Sequence, residues 1–208
     1  MRRYRFFLDF AKEEEWLSEM IRQGWELTGT GFGYRFRKTE PQDTVIRIDF
    51  RIFASQDEFL NYRALFEDSG WKHIAGSRTS GAQYFKRMSS SSSEDIFSDA
   101  LSRAERYRRL SRMWISMSVV SLVALLLLAL TGPIDLRALV QPKLFYLTQG
   151  LWEKSGAAFW DAFWFETPFA LFRAVLVYSF PLSLALYLAF AFKSNRLYQQ
   201  EKNHEQSI

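Results

Sequence analysis

The chain has 208 residues, a formal net charge of +4 and no cysteine. Disulfides, thiolate metal sites and a cysteine nucleophile are therefore excluded, and the length suits one small soluble domain plus a membrane part. The basic excess is no nucleic-acid footprint. Residues 1–88 carry 15 basic and 13 acidic side chains, and the clearest basic cluster (Arg103, Arg106, Arg108, Arg109, Arg112) abuts a charge-free apolar stretch.

The opening MRRYRFFLDFAKEEE turns acidic before an apolar core develops, so no signal peptide is expected and the N-terminus is expected in the cytoplasm. Tyr4, Phe6, Leu8 and Phe10 alternate with Arg3, Arg5, Phe7 and Asp9, which predicts a strand with one buried face. A helix is predicted from Lys12 to Gln23, ended by Gly24, with Glu13, Glu14 and Glu15 complementing the helix dipole. Trp25–Thr28 and Tyr34–Lys38 read as a hairpin, and Val45–Phe53 as the cleanest strand. In that strand Ile46, Ile48, Phe50 and Ile52 face one way and Arg47, Asp49 and Arg51 the other.

A second round follows: a helix over Asp57–Ser69, then strands at 71–76 and 82–87. Leu8-Asp9-Phe10 matches Ile48-Asp49-Phe50, Gly24-Trp25 matches Gly70-Trp71, and Phe36-Arg37-Lys38 matches Phe85-Lys86-Arg87. These matches predict an α+β domain of two β-α-β-β repeats forming a largely antiparallel sheet with helices on one face. The tryptophan after each helix is expected in the core.

Those segments carry a resemblance. FFLDFAKEEEWLSEMIRQGWEL, YRFRK, RIDF, Gly70-Trp71 and YFKR resemble the bacterial family called domain of unknown function 2812, over residues 3–87 and on through EDIFSDALSRAERYRR. The resemblance implies a fold, a membrane-anchored organisation and a frequent genomic neighbour, a PadR-type repressor. It supplies no catalytic residues.

Motifs with chemistry are few. Gly31-Phe32-Gly33-Tyr34-Arg35-Phe36 is similar to an RNA-binding signature, but Thr30 replaces its leading basic residue and alternation turns Tyr34 and Phe36 inward. RNA binding, and nucleic-acid binding generally, is therefore not expected. His73 reads as a surface residue, and no metal-ligand spacing is present. No cofactor and no enzyme activity are expected. Arg3, Arg5, Arg35, Arg37, Arg47 and Arg51, with Asp9 and Asp49, are predicted to share the sheet face without helices. They are candidates for docking an acidic partner segment or anionic headgroups.

Residues 89–112 comprise a serine linker and an amphipathic juxtamembrane helix. Its stripe of Ile96, Ala100, Leu101, Ala104, Tyr107 and Leu110 could lie on the membrane, pack on the soluble domain or pair with a second copy. A two-helix transmembrane hairpin follows, with spans at 113–131 and 169–192, the second starting near Thr167-Pro168. Arg173 is expected to snorkel. The aromatic-rich segment 132–168 is expected outside, its aromatics on a short interfacial helix, and 193–208 as a polar cytosolic tail. Trp152, Trp160 and Trp164, with Arg108, Arg109 and Arg112, are the expected membrane-interface residues.

The expectation is a multi-pass protein of the cell membrane with both termini cytoplasmic. Its partners would be the bilayer and a membrane or cytosolic protein, with a homo-oligomer left open. The leading functional expectation is a regulatory interaction module, in an envelope-stress setting. The alternative is a lipid- or small-molecule sensor with its ligand among the outer aromatics.

Overall fold

The computed structural model describes residues 1–89, 93–131 and 136–204. Most of the serine linker (Ser90–Ser92) and the expected end of the first span (Gly132–Pro133) lie outside them. The chain divides into two units, Met1–Arg112 with Phe192–Ile208, and Met113–Ala191. The juxtamembrane helix and the C-terminal end thus belong with the soluble domain.

The first unit holds β1 (Arg2–Arg3), α1 (Phe10–Arg22), β2 (Trp25–Gly29), β3 (Tyr34–Lys38), β4 (Ile46–Phe50), α2 (Gln56–Asp68), β5 (Trp71–Ala75) and β6 (Ala82–Arg87). The α+β class and the two-repeat plan hold. The strands divide between two three-stranded antiparallel sheets of order β1-β3-β2 and β4-β6-β5. Each β-α-β-β repeat therefore builds its own sheet, with its last strand in the centre.

The repeat is closer in space than in sequence. Residues carry over at a spacing of 46 up to β2 (Trp25 to Trp71) and 49 in the last strand (Phe36 to Phe85). Both helices have 13 residues and side-chain N-caps, Asp9 and Ser55. Gly24 and Gly70 end them at φ of +80° and +81°, a conformation that glycine adopts without penalty. β2 and β5 each shift register at the same place, Leu27/Gly29 and His73/Ala75.

The packing repeats as well. Trp16 of α1 meets Phe36 edge-on at 5.7 Å, and its equivalent Tyr62 of α2 meets Phe85 edge-on at 5.7 Å. Arg5 lies over Phe7 and Trp16, and its equivalent Arg51 lies over Phe53 and Tyr62. Trp71 is buried in the second repeat's core with Phe53, Phe59, Tyr62 and Phe85, whereas Trp25 is half-buried.

The first strand differs from expectation. Only Arg2–Arg3 pairs, while Tyr4 and Phe6 are exposed and Phe10 opens the helix. Asp9 caps α1, so the spatial counterpart of Asp49 is Arg3. The match of Leu8-Asp9-Phe10 to Ile48-Asp49-Phe50 is a coincidence of short strings. β4 ends at Phe50, and Ile52 is exposed instead of facing inward with Ile48.

The second unit contains the outer part of α3 (Ala100–Thr131), three short 3-10 turns between 136 and 153, and most of α4 (Gly156–His204). α3 starts at Ala100, after a non-helical stretch from 93. The helix expected to start near Thr167-Pro168 begins earlier: α4 runs 49 residues with Pro168 and Pro181 inside it, so the aromatics 159–165 lie in its first turns and, among the described residues, form no separate helix. The Thr167 hydroxyl, just before Pro168, donates back to the Phe163 carbonyl. The expected polar tail is helical as far as His204.

Candidate functional site: a latched domain with one open sheet face

β4 is an edge strand, and such an edge exposes unpaired backbone groups. Here side chains close it. On one side α1 supplies Ser18, whose hydroxyl accepts from the Ile46 N–H (3.2 Å), and Glu14, whose carboxylate accepts from the Ile48 N–H (2.8 Å). On the other, Arg106 of α3 donates to the Ile48 carbonyl (2.8 Å) and pairs with Glu14. Arg109 donates to the Phe50 carbonyl and pairs with Asp49, which also accepts from the Tyr62 hydroxyl (2.8 Å). The Tyr107 hydroxyl donates to Asp9 (3.0 Å) and accepts from the Ala11 N–H.

This latch decides among the three roles open to the juxtamembrane stripe. Ala104, Tyr107 and Leu110 are buried in the soluble unit, as is Arg106 at 1% exposure. A buried ion pair is tolerated best when further hydrogen bonds meet its remaining groups; Glu14 and Arg106 each gain one through β4, while the Arg106 Nε is buried without a partner. Burial pushes the Glu14 carboxyl up, against the pull of Arg106.

Glu13 is the residue that sequence reasoning missed. Set down as dipole decoration, it is 3% exposed and accepts from both the Tyr34 (2.8 Å) and Tyr84 (2.7 Å) hydroxyls, one from each sheet. Burial raises its pKa above the ordinary carboxylate value. A buried triad drawn from one helix and two strands of different sheets leaves no local sequence signal. Glu26 makes a second bridge, accepting from Lys86 (2.7 Å) and Arg37 (2.8 Å), which holds its pKa down.

The six arginines do not share one face. Arg3 is opposite Tyr34 on the α1 side of the first sheet, and Arg5 stacks on Trp16 there. Arg47 lies between Glu14 (3.9 Å) and Asp95 (3.7 Å), while Arg51 stacks on Phe53 and Tyr62 near Glu58. Only Arg35 and Arg37 stand on the face of the first sheet turned away from α1. Arg2, directly across from Arg35, joins them. Asp9 and Asp49 are spent on the cap and the latch.

That face is the asymmetry of the domain. Its positions Arg2, Tyr4, Arg35 and Arg37 correspond to Ile48, Phe50, Tyr84 and Lys86 of the second sheet. There they form the face against which α1 packs, with Phe10 stacked on Phe50 (6.1 Å) and Tyr84 on Glu13. In the first sheet Arg2, Arg35, Arg37 and Tyr4 (69%) are exposed, and Phe32 at the hairpin tip is 92% exposed. Tyr34 and Phe36 are buried, so neither ring offers a stacking platform.

His73 is not a surface residue. Its Nε2 meets Gln83 Oε1 at 3.0 Å, its ring packs edge-on to Phe59 and Phe85, and burial lowers its pKa. Among the described residues no group of three or more His, Cys, Asp or Glu is arranged to hold a metal ion.

In the second unit, Arg173 is satisfied from within instead of snorkelling. It donates to the Glu166 carboxylate (2.7 Å) and the Phe145 carbonyl (2.6 Å), and Glu166 also accepts from Thr148 (2.7 Å). This pair ties the turns at 136–153 to α4 over Ala138, Phe145, Ala170 and Val177. Trp152, Trp160 and Trp164 are exposed at 43%, 55% and 64%. Of the three basic interface candidates, Arg108 pairs with Glu105, Arg112 is exposed and Arg109 is taken by the latch. α3 and α4 are both long and apolar enough to cross a membrane, and only 11% of the most apolar window of each is buried, unlike the core helix of a soluble protein.

A family model described as "Protein of unknown function (DUF2812)" matches residues 9–119, more than half of the chain. The chain belongs to this family. The match runs from the N-cap of α1 through both repeats, across the latch helix and into the apolar part of α3, so the matched region spans the latch residues of this chain. No curated protein and no solved structure matches the chain.

Proposed function

We propose that this protein is a membrane-anchored, non-enzymatic interaction module whose soluble unit docks an acidic segment of a partner protein on the open face of the first sheet. One observation carries the reading. The face that α1 covers in the second repeat is left uncovered in the first, with Arg2, Arg35 and Arg37 standing where the second repeat has Ile48, Tyr84 and Lys86. The α1 helix that covers the second face presents the acidic Glu13 and Glu14, and a partner helix of similar charge would suit the arginines. Exposed Tyr4 and Phe32 beside them are residue types enriched at interface cores. Copurification of cross-linked intact protein from its native membrane should recover a dominant partner, lost in Arg2→Glu/Arg37→Glu. Recovery that is unchanged in that variant removes the reading.

We further propose that α3 and α4 form a multi-pass hairpin in the cell membrane with both termini cytoplasmic. The arginines before Met113 and Lys193 and Arg196 after the second span support it. The cysteine-free chain makes the test clean. An impermeant maleimide on intact cells should label Ser155→Cys and spare Gln199→Cys. Regulation under envelope stress, near a PadR-type repressor, is the proposed setting. The exposed Trp152, Trp160 and Trp164 favour a second reading, a lipid or small-molecule sensor at the outer interface. Ligand-dependent protection of those rings from quenching would support it.

A further inference from the structure

Where the two repeats meet, the register-shifted ends of β2 and β5 form the rim of a cleft of about 390 Å³. Thr28, Gly29 and Thr30 on one side are the counterparts of Ile74, Ala75 and Gly76 on the other, so the cleft lies at the junction of the repeats. Binding sites favour such junctions between folding units, and the volume falls in the usual range for small ligands. Arg35, Arg63 and His73 also line it, with Phe59, Ser77 and Ser80. None of the lining residues is acidic, in a domain where acids nearly balance bases.

The lining is built to hold its cations in place. The Arg35 guanidinium lies across Gly29, where an added Cβ would stand 2.8 Å from its Nη2. A Cβ on Gly76 would stand 2.4 Å from Gln83 Oε1, the atom that fixes His73. The Gln83 amide nitrogen donates to the Ser77 carbonyl (2.7 Å), so its oxygen is the acceptor and His73 Nε2 the donor. Burial lowers the pKa of that ring, and the permanent charge of the cleft is that of the two arginines. Arg63 makes one long ion pair, 3.4 Å to a half-exposed Glu67, and lies over the Phe59 ring at 5.8 Å, while its Nε is buried with no hydrogen-bond partner. A buried unsatisfied donor is costly unless a ligand or water meets it.

We infer that this cleft is a binding site for a phosphate group, held by Arg35 and Arg63 at the junction of the two repeats. Guanidinium groups bind phosphate oxygens through paired, charge-assisted hydrogen bonds. The site overlaps the docking face at Arg35 but takes Arg63 and His73 from the second repeat.

The test is isothermal titration of inorganic phosphate, then glycerol 3-phosphate, into the full chain in phosphatidylcholine nanodiscs. Saturable binding is expected. Arg35→Ala and Arg63→Ala should each weaken it about tenfold, the loss of one charge-assisted contact. Arg63→Lys, which keeps the charge but not the fork, should lie between, and Arg37→Ala should leave the affinity unchanged. Absence of saturable binding by both probes, or an unchanged affinity in Arg35→Ala/Arg63→Ala, overturns the inference. Nanodiscs containing phosphatidylglycerol assign the source. Phosphate affinity weakened by the anionic lipid, with that weakening lost in Arg63→Ala, identifies a lipid headgroup as occupant. An undiminished affinity identifies a free solute. Loss of partner recovery in Arg2→Glu/Arg37→Glu bears on the docking face alone, so the two proposals fail separately.

Discussion

The two repeats share a topology, a helix length, a pair of caps and an arginine stacked on two rings, yet they are finished differently. In the second repeat both sheet faces are covered and the β4 edge is closed by α1 and α3. In the first, β1 is two residues long and one face is open. A duplicated unit needs only one copy of each stabilising device when the two copies pack together. The first copy is then free to carry polar residues where the second must carry apolar ones. Ile48, Phe50 and Tyr84 are packing residues; Arg2, Tyr4 and Arg35 at the same places are surface.

The sharpest way to break this comparison is at the latch, which closes the edge strand of the second sheet and, among the described residues, has no counterpart on the first. Arg106→Leu strands Glu14 and removes a donor from the Ile48 carbonyl. The expected loss is about 3–5 kcal/mol, the usual cost of removing one partner of a buried pair. Adding Glu14→Gln should restore part of it, because a neutral amide is cheaper to bury than an unpaired carboxylate. Thermal unfolding of the intact chain, with hydrogen exchange at the Ile48 amide, reads both. Arg106→Leu melting like wild type would mean that β4 needs no closure.

The equivalent tryptophans give the next largest contrast. Trp71→Ala empties a fully buried site and should cost about 3–5 kcal/mol. Trp25→Ala, at a half-buried site, should cost about half as much. Equal losses, measured by denaturant unfolding, would show that the first repeat is packed as tightly as the second.

Much of this plan is legible in the sequence, for a physical reason. Helix ends and turns are local: Gly24-Trp25 and Gly70-Trp71 announce themselves, and the match of Phe36-Arg37-Lys38 to Phe85-Lys86-Arg87 is the correspondence of the two central strands. What alternation conveys is which residues could share a face, not whether a strand exists to present them. Tyr4, Phe6 and Leu8 alternate well, but β1 stops at Arg3, and the supposed arginine face dissolves into three groups. The latch and the Glu13 triad are harder still. Arg106 and Arg109 read as membrane-flanking charge because their partners, Glu14 and Asp49, are some 60 to 90 residues away. The cleft at the repeat junction involves Arg35 and Arg63, which no motif connects.

The helix caps separate the repeats by a smaller margin. Asp9 and Ser55 each accept a first-turn N–H, but Asp9 also accepts from the Tyr107 hydroxyl. Loss of an N-cap costs about 0.5–2 kcal/mol. Asp9→Ala should fall at the top of that range and Ser55→Ala near its middle. Reversal of that order in thermal unfolding would mean that Tyr107 adds nothing at α1.

The smallest effect, and the one that reports on the joint between the sheets, is the pH dependence set by Glu13. Its folded-state pKa is raised by burial, so the folded chain binds a proton more tightly than the unfolded chain does. The contribution is full below the ordinary carboxylate value and is lost as pH rises through the raised folded value. Glu13→Gln has no such proton to lose, and its amide oxygen can still accept from Tyr34 and Tyr84. The melting temperature of Glu13→Gln relative to wild type should therefore climb as pH is taken from about 4 to 8. A difference that is flat with pH would mean that Glu13 keeps an ordinary pKa, its two tyrosine bonds offsetting its burial. The carboxylate would then bridge the sheets fully charged, and the joint between the repeats would be an ionic one, as Glu26 is with Lys86 and Arg37.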